Sequence, residues 1–290
     1  MTILLTGGTG KTSVPLARLL STQSTHSVLL ASRKGTKPET LSGLDHSRVH
    51  ATKFDWFDRT SWGSPFDCVA LEKLPAIDAV YLIAPAVWDV EEVMGGFIDF
   101  AREKGVNKFV LLSASQGECG GRVAIAAPIK IEQVSLIVLT FSENLGEYQI
   151  HSIRDEDTFY SVWEDGKCPF VSAEDIAQAA FDILIGSPEA QSRINNDFII
   201  HGPELFTNDE LARLLSMVLL RTITHTRITK EEFLRQWKDL GFEELGRGLL
   251  ESELRIAQGS EEAIFRHEKA VEGKGKMRDY IDKNKHLWMK

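Results

Sequence analysis

Through the first half of the chain, continuous apolar runs alternate with stretches whose apolar residues recur at helical spacing. The runs are Thr2-Ile3-Leu4-Leu5-Thr6, Ser27-Val28-Leu29-Leu30-Ala31, and residues 79–85, 108–113 and 134–140, and the more polar stretch 49–54 reads as a further strand ending in Asp55. A strand that is apolar at every position, rather than at alternate ones, is covered on both faces. Pro15-Leu16-Ala17-Arg18-Leu19-Leu20 supplies the apolar face of one helix. Val90, Val93, Met94, Phe97, Ile98, Phe100 and Ala101 supply that of another over 90–104, which Gly105-Val106-Asn107 stops. This alternation predicts an α/β fold with a doubly wound parallel sheet. Ligands of such sheets lie at the carboxyl ends of the strands. Gly7, Ser32, Arg33, Asp55, Ala84, Pro85 and Ser113 stand at those ends and should line one crevice.

The second half reads differently. Ser172 is placed to cap a helix with Asp175 at its third position, and Thr207-Asn208-Asp209-Glu210 starts another capped helix. A late strand is expected over 198–204, and from Glu231 onward the chain is helical, charged and rich in Leu. Gly273-Lys274-Gly275-Lys276 reads as a linker before a last short helix holding Trp288. The division this suggests is a nucleotide-binding domain over 1–150 and a smaller, mostly helical substrate region over 151–290 that covers the crevice.

Composition narrows the setting. A chain of 290 residues can take roughly three quarters of its extended surface out of water. A net charge of -9 disfavours a polyanionic partner such as nucleic acid. Cys68, Cys119 and Cys168 are too scattered for a metal pair or a disulfide framework, which points to a reducing compartment. With a strand starting at Thr2 there is no expected targeting peptide, and no apolar stretch reaches membrane-spanning length. A cytoplasmic protein is expected.

The sharpest motif is the turn Gly7-Gly8-Thr9-Gly10-Lys11-Thr12-Ser13 between the first strand and the first helix. Glycines let the backbone approach a diphosphate closely, and the helix aims free N–H groups at it. A phosphate loop of the ATPase type would need a glycine where Leu5 stands, inside the strand. A dinucleotide turn needs glycines three apart. Gly7 and Gly10 fit, and small Ser13 takes the third place. The second strand ends in Ser32-Arg33-Lys34, with no acid between Ser21 and Lys37. A site for NAD places a carboxylate there, whereas cations suit the additional phosphate of NADP. NADPH or NADP is therefore the expected cofactor.

Together the residues resemble a known family, the NmrA-like atypical short-chain dehydrogenases, and within it the fungal ergot-alkaloid branch. The resemblance rests on Thr6-Gly7-Gly8-Thr9-Gly10-Lys11-Thr12, Ala31-Ser32-Arg33, Lys53-Phe54-Asp55-Trp56, Phe109-Val110-Leu111-Leu112-Ser113-Ala114-Ser115, Glu143-Asn144, Pro169-Phe170-Val171-Ser172-Ala173-Glu174-Asp175-Ile176-Ala177 and Gly202-Pro203-Glu204-Leu205. It implies an NmrA-like Rossmann fold and NADPH-dependent reduction of an iminium in a tryptophan-derived alkaloid. It further implies that Gly7, Thr9, Gly10, Lys11 and Thr12 hold the diphosphate and Arg33 the additional phosphate. Asp55 would lie near the adenine, with Ala84 and Ser113 beside the ribose and nicotinamide. The chain departs from the family pattern at Ile137-Val138-Leu139-Thr140-Phe141-Ser142 and in a shortened segment after Ser115, around Gly120-Gly121-Arg122 and Pro128. Both changes alter the expected pocket wall.

Ordinary short-chain dehydrogenases move a proton with Tyr-x-x-x-Lys, yet none of Tyr81, Tyr148, Tyr160 and Tyr280 has Lys four residues later. An iminium already carries positive charge, so hydride addition to it needs no proton donor. It needs cation-friendly walls and exclusion of water. Glu143 is the first candidate to face that cation, with Tyr148 and Arg122 as further catalytic candidates. Trp88, Ser115, Phe141, Asn144 and Phe170 are candidates to contact substrate. His50, His151 and His201 show no partnered spacing, so neither a metal nor a catalytic triad is expected. Three readings follow: an iminium reductase, a cyclase that uses the nucleotide with transient or no net redox in a Diels–Alder or Pictet–Spengler closure, and a non-catalytic NADP sensor.

Overall fold

A computed structural model describes residues 1–44, 47–85, 90–114, 132–138, 141–193, 197–268 and 270–290. Its strands are β1 (Thr2–Thr6), β2 (Ser27–Ser32), β3 (Val49–Lys53), β4 (Ile77–Ile83), β5 (Lys108–Ala114), β6 (Glu132–Val138), β7 (Thr158–Ser161), β8 (Asp197–His201), β9 (Thr224–Arg227) and β10 (Val271–Glu272). Eight of them form one sheet in the order β10-β8-β6-β5-β4-β1-β2-β3. Every pairing in it is parallel. The order runs outward from β1 in both directions, which puts the topological switch between β1 and β4.

The helices are α1 (Ser13–Gln23), α2 (Ser64–Leu71), α3 (Glu91–Glu103), α4 (Leu145–Tyr148), α5 (Ile150–Glu156), α6 (Ala173–Ile185), α7 (Pro188–Arg193), α8 (Asn208–Leu219), α9 (Lys230–Asp239), α10 (Glu243–Ala257), α11 (Ser260–Phe265) and α12 (Met277–Asn284). Alternation along β1 explains its unbroken apolar run. Ile3 and Leu5 face Leu16 and Leu20 of α1 and Ile176 and Ile183 of α6. Leu4 faces the opposite layer, built on Met94, Phe97 and Ile98 of α3. Phe97 is ringed edge-to-face by Phe54, Trp56 and Trp62 at 4.9–5.7 Å between centroids, a geometry that adds to area burial.

The division expected at residue 150 is redrawn by the topology. Strands β8 and β10 lie beyond it yet complete the sheet, and α6 packs with α1 over the same face. What lies outside the sheet layers is a third core, in which Leu145, Phe159, Leu215, Ile281 and Trp288 meet. This part is mostly helical, but it also contains a two-stranded parallel sheet, β7 with β9. Trp288 lies past α12 and a 3-10 turn rather than in a helix, and it is fully buried.

The late strand ends at His201 because the next residue must touch another backbone. A Cβ on Gly202 would lie 1.7 Å from the Phe170 carbonyl oxygen. The expected linker at 273–276 is fastened: the Asp175 carboxylate accepts N–H bonds from Lys274 at 3.0 Å and Gly275 at 2.8 Å. The Ser172 hydroxyl donates to the same carboxylate at 2.8 Å and accepts the Asp175 amide at 3.0 Å, the expected cap. The cap at Thr207 is a full capping box with Glu210.

Two glycines separate close approach from mere flexibility. Gly202→Ala is expected to lower unfolding stability by about 1–3 kcal/mol or more, the cost of overpacking. Gly95 lies within α3 with open space where a Cβ would project. Gly95→Ala is therefore expected to raise stability by about 0.4–1 kcal/mol. Denaturant titration of both variants checks the pair.

Candidate functional site

The glycine turn is built by close contact with two strands. The Thr6 hydroxyl donates to the Tyr81 carbonyl at 3.1 Å and accepts the Ile83 amide at 2.8 Å, tying the ends of β1 and β4 together. Gly7 then takes φ +59, and the Gly10 amide bonds back to the Gly7 carbonyl at 2.8 Å. The Gly8 amide bonds to the Ala31 carbonyl at 2.9 Å, and a Cβ at Gly8 would lie 2.8 Å from Leu30 Cα. Ser13, at the third glycine position, is buried and donates to the Thr6 carbonyl at 3.3 Å. A hydroxyl replaces the missing glycine without opening the packing. The amides of Lys11, Thr12 and Ser13 meet no protein acceptor among the described residues, so the start of α1 is equipped to hold an anion. Thr9 is exposed at the tip of the turn. The Thr12 side chain is buried and accepts the Tyr81 hydroxyl at 3.3 Å, so only its backbone faces the turn.

The other expected cofactor residues sit at the same edge. Ser32 is buried at the end of β2, where its hydroxyl accepts the Gly35 amide at 3.1 Å. Gly35 has φ +65, and a Cβ there would lie 3.0 Å from the Lys53 amide nitrogen. This tight return leaves Arg33 and Lys34 exposed, with no side-chain partner among the described residues. Asp55 is half-buried and accepts the Phe57 amide at 3.0 Å. Ala84 and Pro85 are half-buried after β4, and Ser113 is buried near the end of β5.

The segment after β6 brings the acids. Phe141 bridges to Val171, and the Ser142 amide donates to the Val171 carbonyl at 3.0 Å. Glu143 Oε1 accepts the Ala173 amide at 3.0 Å, while its buried Oε2 has no partner among the described residues. Burial pushes the Glu143 carboxyl above the ordinary carboxylate range, against the opposing pull of that amide. Lys11 reaches across from the glycine turn. Its Nζ is 3.2 Å from Asn144 Oδ1, 2.8 Å from Glu147 Oε2 and 5.0 Å from the Phe141 ring centroid.

Several sequence expectations shift at this point. Lys11, expected on the diphosphate, is also the bridge to the acidic segment. Phe170 is no pocket wall: it is 6% exposed and packs against Trp163 in the third core. Tyr148 is 54% exposed and rests on Trp237, with ring centroids 5.5 Å apart. Trp88, Ser115 and Arg122 lie outside the described residues. Tyr280, which lacks the expected lysine, nonetheless enters the site's surroundings, since a Cβ on Gly146 would lie 2.6 Å from its hydroxyl. Nothing in the local sequence marks Trp237 or Tyr280, because both arrive through long-range packing.

Comparison with protein-family profiles finds none that matches the chain. Among curated proteins, agroclavine dehydrogenase from Claviceps fusiformis is 35% identical over 100% of this chain and 99% of its own length. Festuclavine dehydrogenase from Aspergillus fumigatus is 33% identical over the whole of both. The chain belongs to the agroclavine and festuclavine dehydrogenase family. It is an oxidoreductase. Solved structures agree on the fold. A nucleoside-diphosphate-sugar epimerase from Staphylococcus aureus superposes with a TM-score of 0.73 at 15% identity, covering 97% of this chain and 100% of that one. An NADPH-dependent quinone oxidoreductase from Escherichia coli, complexed with NADPH, gives 0.71 at 16% identity, covering 97% and 99%.

Away from the glycine turn, the chain contains a relay that sequence spacing did not reveal. Asn208 Nδ2 donates to the Ser161 hydroxyl at 2.6 Å, Ser161 lies 2.9 Å from His225 Nε2, and His225 Nδ1 lies 3.0 Å from Asp209 Oδ1. The bonds are mutually consistent for neutral His225 with its proton on Nδ1. Ser161 is 5% exposed, and its oxygen is already engaged by Asn208. The relay therefore fastens β7 and β9 to the start of α8 rather than attacking a substrate. The histidines considered from sequence stay apart from it. His201 is buried against Phe265, His151 pairs with Asp155, and His50 faces Glu72. Among the described residues no cluster of metal-ligating side chains occurs, and no helix is long and apolar enough to cross a membrane.

Burial holds the His225 imidazole below its ordinary pKa, against the pull of Asp209 and with Arg227 adding to the depression. The folded state thus resists a proton that the unfolded chain accepts. His26 has the same sign, again through burial. The stability that rests on these two histidines should be full above about pH 6.5 and fall as the pH drops below it, whereas Glu253, which burial pushes up to about 7, acts in the opposite direction over the same range. His225→Gln should flatten part of that slope and leave the His26 part, as thermal melts across the range would show.

Proposed function

We propose that the protein reduces the C=N bond of an iminium in an indole alkaloid, with NADPH as the reductant. The observation that carries this reading is Glu143: a half-buried carboxylate with one unpartnered buried oxygen, beside the carboxyl edge that holds the glycine turn. A cation bound there would supply the missing partner and draw the raised carboxyl pKa back down. The relatives' names support a clavine substrate, agroclavine for one and festuclavine for the other. NADPH fits the chain's own residues. The amides at the start of α1 suit a diphosphate, and exposed Arg33 beside Ser32 suits a further phosphate through charge-assisted bonds. When bound, NADPH supplies a hydride.

The residues present meet what that chemistry demands. The iminium carbon accepts the hydride, the π pair of C=N becomes the nitrogen lone pair, and no proton has to move. The missing Tyr-x-x-x-Lys pair is then no deficit. Glu143 stabilises the cation before transfer, Lys11 and Asn144 hold the acidic segment against the glycine turn, and Phe141 lies beneath the Lys11 ammonium. We place the reaction in the cytosol, a reading supported by three scattered cysteines.

Incubation with NADPH and a cyclic indole iminium is expected to oxidise one NADPH for each C=N bond lost. A ring-closed isomer formed with NADPH unconsumed would instead establish the cyclase reading, and tight NADP binding with no turnover the sensor reading. Arg33→Ala should weaken NADPH binding by about 1.5–3 kcal/mol, the worth of bonds to a charged group, while NADH binding barely changes. Calorimetry with both nucleotides checks it, and equal losses would remove Arg33 from the phosphate.

A further inference from the structure

We infer that Glu147 is a built-in competitor of the cofactor. It holds the Lys11 ammonium that the diphosphate of NADP(H) recruits, and so weakens nucleotide binding and speeds nucleotide release. This role rests on the reading that Lys11 serves the diphosphate. Lys11 is the only charged residue of the turn 7–13. It stands where the free amides at the start of α1 begin, the place an anion takes. Yet its Nζ is 2.8 Å from Glu147 Oε2 and 3.2 Å from Asn144 Oδ1. The one cation that the turn can offer a diphosphate is thus committed to the segment after β6.

The backbone that carries Glu147 is pinned at several points. The Ser142 amide donates to the Val171 carbonyl at 3.0 Å, and Glu143 accepts the Ala173 amide at 3.0 Å. Leu145 is buried in the third core. Gly146 is fitted so closely that a Cβ on it would lie 2.6 Å from the Tyr280 hydroxyl and 3.2 Å from Leu287 Cδ1. The glycine turn is just as fixed, with Gly8 against Leu30 and Gly7 against Ile83. The two side chains that meet between these walls are freer: Lys11 is 32% exposed and Glu147 46%. Rigid walls with a movable ammonium between them give Lys11 a choice of anions.

Charge sets the sign of the effect. An ammonium has three protons to donate, and Asn144 and Glu147 accept two of them. A diphosphate on the amides of α1 brings a second anion to the same ammonium, and the two anions repel. Lys11 then turns to one at the expense of the other. A half-exposed pair is worth up to about fivefold in an equilibrium, so Glu147 tunes nucleotide affinity without abolishing it. A pair that only fastened two segments predicts the reverse, since breaking it would loosen the crevice and weaken the hold on the nucleotide.

The test measures NADP binding by calorimetry and NADP release by stopped flow. It compares the wild type, Glu147→Gln, Lys11→Met and the double variant. Both side chains are partly exposed, so the fold should survive both changes. Lys11→Met should weaken NADP binding about tenfold or more, as loss of a bond between charged groups does. Glu147→Gln should tighten NADP binding about threefold, the scale of a half-exposed pair, and slow release in proportion. With Met at position 11, the same Glu147→Gln change should alter affinity little. A probe without a diphosphate, 2′-AMP, should bind the wild type and Glu147→Gln alike. Unchanged or weaker NADP binding by Glu147→Gln would overturn the competitor. So would an equal tightening with and without Lys11, which is plain repulsion, or an equal gain for 2′-AMP. Unaltered NADP affinity in Lys11→Met would instead remove Lys11 from the diphosphate, and the competitor with it.

Discussion

The site depends on the backbone of residues 7–10 lying in van der Waals contact with β2 and β4 at once. Gly8 has no room for a side chain above Leu30, and Gly7 turns through positive φ against Ile83. Thr6 anchors the approach from below, and Ser13 closes it from above. The contact sets where α1 begins, and so where its free amides point. It also places Lys11 so that its ammonium reaches the segment after β6. A single packing constraint thereby positions both the anion-holding turn and the acids opposite it.

The charges at this edge divide into two separate groups. Lys11, Asn144 and Glu147 form a half-exposed cluster whose contribution to stability is modest, on the scale of surface pairs at up to about 1 kcal/mol. Glu143 is set deeper: one oxygen accepts the Ala173 amide, the other has no hydrogen-bond partner among the described residues, and Lys11 acts on it from a distance. Fastening the acidic segment and presenting an unmatched carboxylate are tasks given to different residues. The third core supports both, since Leu145 and the close fit of Gly146 to Tyr280 and Leu287 hold the segment from behind.

Much of this was legible in the sequence. Unbroken apolar runs identified the parallel strands because burial on both faces leaves no polar alternation to mislead. The glycine turn, Ser32-Arg33 and Asp55 were legible because each is a local device at a strand end. What escaped notice arrives through distant contacts. Strands β8 and β10 join the sheet from beyond residue 150, since a sheet edge accepts any strand of suitable register. Phe170 reads as a pocket aromatic but is core, because an aromatic residue beside a cap serves either purpose. The Ser161–His225–Asp209 relay spans 64 and 16 residues between its members, a separation that no local motif encodes. Trp237 is likewise an ordinary amphipathic position until α10 and Tyr148 close around it.

The central claim is that hydride passes from a bound NADPH to a carbon double-bonded to cationic nitrogen. The most direct measurement uses NADPH deuterated at both positions of nicotinamide C4, with an indole iminium as acceptor and mass spectrometry of the amine formed. The expected product carries one deuterium on the former iminium carbon. A product formed at the same rate without deuterium would contradict the account.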